Sequence, residues 1–219
     1  MKQKYQAIIF DLDGVIIDSM KLHVKLEKAV CKKYRISAPA SIWRKFIGWK
    51  IEEIFKYLVT NYSEKEIDIK QMVRDKVTRL KLANKKIREV AGAIKFVKQA
   101  RHILKKTVLV TSSEKEFTDL ILKKFNLKDS FDLVITAKDF SRGKPDPEAY
   151  LKAVKLLKVK PGECIVIEDA DNGIISAKAA GCTVIGITTT LPKEKLIKAG
   201  ANYVIKNYSE LKSLIRRIL

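Results

Sequence analysis

An α/β fold follows from three observations on the 219 residues. Short apolar, β-branched runs alternate with helical patterns from residue 108 to the C-terminus. A similar run, Ala7-Ile8-Ile9-Phe10, opens the chain. Between the two, residues 18–88 carry helical spacing and no strand pattern. Apolar runs bounded by helices are parallel strands covered on both faces. The expected architecture is therefore a parallel sheet between helices, with a helical lobe inserted after its first strand.

The elements follow in order. Residues 4–10 form a buried strand that breaks at Asp11-Leu12-Asp13-Gly14. Residues 19–33 place Leu22, Leu26, Ala29 and Val30 on one helical face. After Pro39, a helix over 41–60 would bury Ile47, Ile51, Ile54, Phe55 and Leu58. Ser63-Glu64-Lys65-Glu66 has the spacing of a capping box, which predicts a third helix to about residue 82. Beyond 89, predicted strands at 108–111, 133–136, 164–167, 184–187 and 203–205 alternate with helices at 114–125, 147–157, 172–180, 193–199 and 209–219. Residues 1–17 and 89–219 then make the core, and 18–88 a helical cap.

Composition excludes several classes. With 47% hydrophobic and 32% charged residues, the chain can bury a core and is not disordered as a whole. No apolar run approaches the roughly 20 residues that a bilayer requires, and none near the N-terminus is long enough for a secretory leader. The three cysteines, Cys31, Cys164 and Cys182, form no CxxC pair, so a reducing cytoplasm is the expected setting. The net charge of +20 raises the question of nucleic acid. However, 36 of the 45 basic residues are Lys, scattered without a basic tail, and Lys lacks the bidentate fork of Arg. No nucleic-acid or membrane partner is expected. Residues 18–88 alone hold 19 basic and 8 acidic side chains, a net +11. That excess lies on the lobe facing the site, where it would steer anions inward.

In open parallel sheets, ligands bind beyond the carboxyl ends of the strands. The residues there are Asp11 and Asp13, Thr111-Ser112-Ser113, Lys144 in Gly143-Lys144-Pro145, and Glu168-Asp169. Carboxylate oxygens suit a hard cation such as Mg²⁺, whereas hydroxyls, turn amides and a Lys suit a phosphoryl group. Each piece alone has an ordinary explanation as a turn, a cap or a solvated lysine. Their joint occurrence, each at a strand end, does not. The acids do not form an EF-hand, whose further ligands are missing.

Asp-Leu-Asp-Gly-Val at 11–15, Val-Thr-Ser-Ser at 110–113, Gly-Lys-Pro-Asp-Pro at 143–147 and Ile-Glu-Asp-Ala-Asp-Asn-Gly at 167–173 resemble the four motifs of the haloacid dehalogenase superfamily. The insertion resembles the small α-helical cap of its subfamily IA. The resemblance implies a Rossmann-like, three-layer α/β/α core, Mg²⁺ and an aspartyl-phosphate intermediate. In that scheme Asp11 is the nucleophile and Asp13 the general acid and base. The Asp11 carboxylate, the Asp13 main-chain carbonyl and Asp169 hold the metal, with Glu168 as ligand or supporting partner. Thr111, Ser112 and Lys144 hold the phosphoryl oxygens. An acid two residues after the nucleophile sets the chain apart from the dehalogenases, because only an alcohol leaving group needs its proton. In the cap, His23, Gly48 and Lys50 stand where capped relatives place substrate contacts. Gly48-Trp49-Lys50-Ile51 is similar to the Gly-x-Arg-Ile of sugar-phosphate phosphatases. Ile51 stands where hexose-phosphate mutases tend to carry Arg, while His23 matches a mutase histidine. Ala91-Gly92 replaces the usual Pro-Gly at the return to the core. The expected activity is a Mg²⁺-dependent phosphatase acting on a small phosphorylated metabolite, a sugar phosphate or phosphoglycolate, as a monomer or homodimer. The alternatives are a β-phosphoglucomutase-like enzyme and, from another class, a non-catalytic binder of anions or nucleic acid.

Overall fold

A computed structural model describes residues 4–219. Six parallel strands form the main sheet. In chain order they are β1 (Ala7–Phe10), β4 (Lys106–Val110), β5 (Leu133–Ile135), β6 (Cys164–Glu168), β7 (Thr183–Ile187) and β8 (Tyr203–Ile205). Their spatial order is β5-β4-β1-β6-β7-β8, with β1 held between β4 and β6. Alternate side chains enter two separate layers, as the twofold period of a strand requires. Ile8, Phe10, Ile165 and Ile167 pack on one face with Phe96, Phe117 and Leu211. Ala7, Ile9, Cys164 and Val166 pack on the other with Tyr150, Ala153 and Ala177. All four β1 side chains are buried, which is why that strand reads as a continuous apolar run rather than an alternating one.

The flanking helices are α4 (Ala93–Ala100), α5 (Lys115–Lys124), α6 (Glu148–Leu157), α7 (Asp171–Ala179), α8 (Lys193–Lys198) and α9 (Tyr208–Ile218). Sequence reading missed α4. It is eight residues long and buries Ala93, Phe96, Val97 and Ala100 on one face. It opens on Gly92, whose φ of +83° a side chain would resist.

Between β1 and α4 lie α1 (Met20–Lys33), α2 (Ile51–Tyr62) and α3 (Ile69–Ala83). They enclose an apolar cluster of their own around Val30, Trp43, Phe46, Phe55, Leu58 and Met72. The predicted helix over 41–60 is in fact two pieces. A 3₁₀ stretch, Ala40–Phe46, ends before Gly48, where φ is +84° and the α-helix cannot continue. The third helix starts five residues later than the capping-box spacing suggested. Asp68 caps it by accepting from the Gln71 amide (3.1 Å), while the Ser63 hydroxyl turns to the Lys65 carbonyl. The path out to this segment and back is a two-residue antiparallel ribbon, β2 (Ile17–Asp18) with β3 (Arg88–Glu89), too short to leave a periodic signal. Among the described residues, no helix is long and apolar enough to cross a membrane.

Candidate active site

The three central strands end side by side, so the residues that follow them converge. Asp11 continues the ladder by donating its amide to the Ile167 carbonyl (3.1 Å), and Thr111 donates to Ile135 (2.9 Å). Asp11, Glu168 and Asp169 can bring carboxylate oxygens within 4.8 Å of one another. Lys144 enters this group from the loop before α6. Its Nζ lies 2.7 Å from Asp11 Oδ1 and 2.6 Å from Glu168 Oε1, and its side chain is only 1% exposed. Tyr150, on α6, donates its hydroxyl to the same Glu168 oxygen (2.6 Å), and the other Glu168 oxygen accepts the Asp169 amide (3.1 Å).

Three buried carboxylates around one ammonium leave an electrostatic deficit. Burial raises the Asp11 carboxyl, Lys144 draws it back, and Glu168 and Asp13 push it up again, to a net rise. Burial, then Glu168 and Asp11, raise Asp169 well above the carboxylate range. Burial works against the Lys144 charge, but Asp11 and Glu168 outweigh it and hold the group cationic. Among the described residues, Asp169 Oδ2 is buried without a well-formed hydrogen bond, although the Thr190 side chain stands near enough to draw this carboxyl down a little. An orphaned carboxylate oxygen beside Asp11, in an all-oxygen donor set, fits a hard divalent cation such as Mg²⁺. Gly14 makes the approach possible, since a Cβ there would lie 1.9 Å from Asp169 Oδ2.

Asp13 has a different environment. Ser19 donates to its Oδ1 (2.5 Å) and Ser113 to its Oδ2 (2.6 Å). His23, on α1, places Nε2 3.0 Å from Oδ1. Lys76, on α3, lies 3.0 Å from His23 Nδ1. An ammonium can only donate, so Nδ1 is the acceptor in that contact. Burial pushes the Asp13 carboxyl up, but His23 and the two hydroxyls outweigh it and hold the group well below its usual range. Lys76 also pairs with Glu27 at 2.9 Å, with both side chains about 6% exposed.

The loop between Phe46 and α2 closes over this floor. Ser112 donates its hydroxyl to the Gly48 carbonyl (2.7 Å), and Asn172 donates to the Ile47 carbonyl (2.8 Å). Together the two groups enclose a cavity floored by Asp11, Asp13, Thr111, Lys144 and Asp169 and roofed by α1, α3 and the 46–49 loop. Of the cap residues singled out from sequence, His23 and Gly48 line this cavity. Lys50 does not, because its Nζ is turned away to donate to the Phe140 carbonyl (2.8 Å). Sequence reasoning missed Ser19, Tyr150, Lys76 and Glu27 and gave Ser113 no role. Glu27 alone had a readable signal, lying one turn after His23 on the same face of α1.

Comparison with known proteins places this geometry. The haloacid dehalogenase-like hydrolase family matches residues 8–187. The chain is 30% identical over 209 residues to the validoxylamine A 7'-phosphate phosphatase of Streptomyces hygroscopicus subsp. limoneus, covering 95% of this chain and 96% of that one. It is 30% identical over 220 residues to the β-phosphoglucomutase of Bacillus subtilis, covering 94% and 91%. Among solved structures, a family IA haloacid dehalogenase hydrolase from Entamoeba histolytica superposes with a TM-score of 0.82 at 27% identity, over 97% of this chain and 99% of that one. A buried Asp-Lys-Glu-Asp group on a parallel sheet edge, in a chain matched over most of its length, leaves one assignment. The chain is an enzyme of the haloacid dehalogenase-like hydrolase family.

Proposed function

We propose that the chain is a Mg²⁺-dependent phosphatase that hydrolyses a small phosphorylated metabolite, a sugar phosphate, through an aspartyl-phosphate on Asp11. Residues 1–17 and 89–219 act as its catalytic core and 18–88 as its cap. The observation that carries the reading is the Lys144 ammonium bridging Asp11 and Glu168 beside the orphaned Asp169 oxygen. A bound cation would be held by Asp11, Asp169 and the Asp13 carbonyl, and would supply charge neutralisation for the phosphoryl group. Glu168, with both oxygens already accepting hydrogen bonds, serves as the group that positions Lys144 rather than as a ligand.

The steps belong to the side chains. Lys144 occupies Asp11 Oδ1 and leaves Oδ2 to attack phosphorus. The Thr111 hydroxyl, the Ser112 amide and Lys144 hold the non-bridging oxygens. As the P–O bond to the alcohol breaks, Asp13 gives its proton to the leaving oxygen. His23 and the two hydroxyls hold Asp13 acidic, and a negative phosphoryl group arriving beside it would raise its proton occupancy. In the second half Asp13 takes a proton from water, the water attacks the aspartyl-phosphate, and phosphate leaves with Asp11 restored.

A second reading, a phosphomutase that keeps the phosphoryl group on Asp11 for a sugar hydroxyl, is favoured by one observation, the contact of His23 with Asp13. The product separates the two. Purified protein with Mg²⁺, offered a panel of phosphorylated metabolites, should release inorganic phosphate. Asp11→Asn should abolish release, and full activity in that variant would overturn the proposal.

A further inference from the structure

The part of the cavity beyond the phosphoryl-binding floor faces the alcohol half of the substrate, and its charges decide what that half can carry. Three cap and core cations come near it, but none is available. Lys76 is shared between Glu27 (2.9 Å) and His23 Nδ1 (3.0 Å). Lys50 is bonded to the Phe140 carbonyl outside the cavity lining. Lys144 belongs to Asp11 and Glu168. One carboxylate, by contrast, is free. Glu114 stands at the N-cap of α5, lines the cavity, and takes part in none of the described ion pairs. Its side chain does not cap its own helix either. Burial, with Glu116 adding to it, raises this carboxyl against the weaker pull of Lys50 and Lys76, both of which are bonded elsewhere.

We propose that Glu114 is a specificity-determining residue that selects phosphate monoesters whose alcohol half is neutral or carries an amine, and rejects those bearing a second anionic group. The proposal rests on the phosphatase reading and narrows its substrate class. An unpaired carboxylate accepts hydrogen bonds from hydroxyls and pairs with an ammonium, but repels a carboxylate or phosphate, and the nearby Lys50 and Lys76 are already committed to other partners. Phosphorylated polyols and amino sugars therefore fit, whereas phosphoglycolate and bisphosphates do not. The consequence extends to the mutase reading. Returning a phosphoryl group from Asp11 to a sugar monophosphate makes a bisphosphate by atom balance, and its second phosphate would lie at this end of the cavity.

Three six-carbon esters of nearly equal size give the test: glucose 6-phosphate, glucosamine 6-phosphate and 6-phosphogluconate. With Mg²⁺ at neutral pH, kcat/KM for 6-phosphogluconate should lie about tenfold below that for glucose 6-phosphate, the effect of a partly screened unit charge at close range. Glucosamine 6-phosphate should equal or exceed glucose 6-phosphate. Glu114→Gln should bring the anionic-to-neutral ratio to within about threefold of one, and Glu114→Lys should invert it. Ratios within one enzyme cancel any difference in folded fraction. Equal turnover of the three esters by the wild type, or a ratio unmoved by both variants, overturns the proposal and leaves the phosphatase reading standing. If the wild type releases phosphate from none of them, that reading fails instead. Calorimetric dissociation constants of the same esters then decide this one, with equal affinities refuting it.

Discussion

Lys76→Met removes one partner of an ion pair that is almost fully enclosed. Lys76 Nζ and Glu27 Oε1 are 2.9 Å apart with side chains about 6% exposed, and the same ammonium satisfies His23 Nδ1 at 3.0 Å. Losing it strands a buried carboxylate and an imidazole acceptor together. Breaking a buried pair by removing one partner costs about 3–5 kcal/mol. The lower end applies here, because both groups border the active-site cavity and water can reach them. For a chain of this size, about 3 kcal/mol lowers Tm by roughly 6–12 °C. Glu27→Gln should cost a similar amount. The double variant should recover about 2 kcal/mol relative to the sum of the singles, since neither charge is then left alone. Both tryptophans, Trp43 and Trp49, lie in the helical segment, so urea titration followed by tryptophan fluorescence reports on it directly. Strict additivity of the two single variants would refute the reasoning and make the pair a surface-like contact.

Four further outcomes follow. Asp13→Asn should slow release of an alkoxide by about 10²–10⁴-fold while a nitrophenyl ester, whose leaving group needs no proton, still gives a rapid burst of one equivalent in stopped flow; equal slowing of both would deny Asp13 its role as acid. Gly14→Ala combines a φ of +81° with a Cβ 1.9 Å from Asp169 Oδ2, so it should cost about 1–3 kcal/mol and weaken Mg²⁺ activation at least tenfold, read from a metal titration. Burial pushes Asp132 up, but the Thr107 amide (2.8 Å) and Arg101 (2.8 Å) outweigh it and lower its pKa. Its contribution is therefore complete above the ordinary aspartate pKa of about 3.9 and is lost as pH falls through the lowered folded value, so Asp132→Asn should destabilise by about 1–2 kcal/mol at pH 7 and approach the wild type in acid, read from thermal melts. The net +20 predicts that kcat/KM at saturating Mg²⁺ falls as ionic strength rises; a flat response would remove the steering role of the surface.

How far each feature could be read in advance depended on whether its signal was local. The six sheet strands were legible because each is a short apolar run, and the five after the first alternate with helices. Asp11, Thr111, Lys144 and Asp169 were legible because a parallel sheet turns sequence position, just after a strand, into spatial position at one edge. The ribbon of Ile17–Asp18 with Arg88–Glu89 was not, since two residues carry no period and the partner strand is some seventy residues away. The break at Gly48 was hidden by apolar spacing that continues in phase on either side of it. Lys76 was the hardest to find. It is one of 36 lysines, and only the packing of α3 against α1 distinguishes it from the solvated ones.

That last case bears on the charge of residues 18–88. A net +11 on residues 18–88 suggested a basic lid over an acidic floor. Of its 19 basic side chains, Lys76 alone lines the cavity, and Glu27 neutralises it. The positive charge of the lobe is therefore an outward field rather than a set of contacts. A field of this kind acts over about a Debye length and raises the encounter rate with any phosphorylated molecule. It cannot tell one from another. Discrimination falls to the few groups inside, where the unpaired carboxylate is Glu114 and the sign is reversed. Attraction outside and repulsion of a second anion inside are compatible, because the phosphoryl group that must enter meets Lys144, while anything anionic at the other end of the ester would meet Glu114.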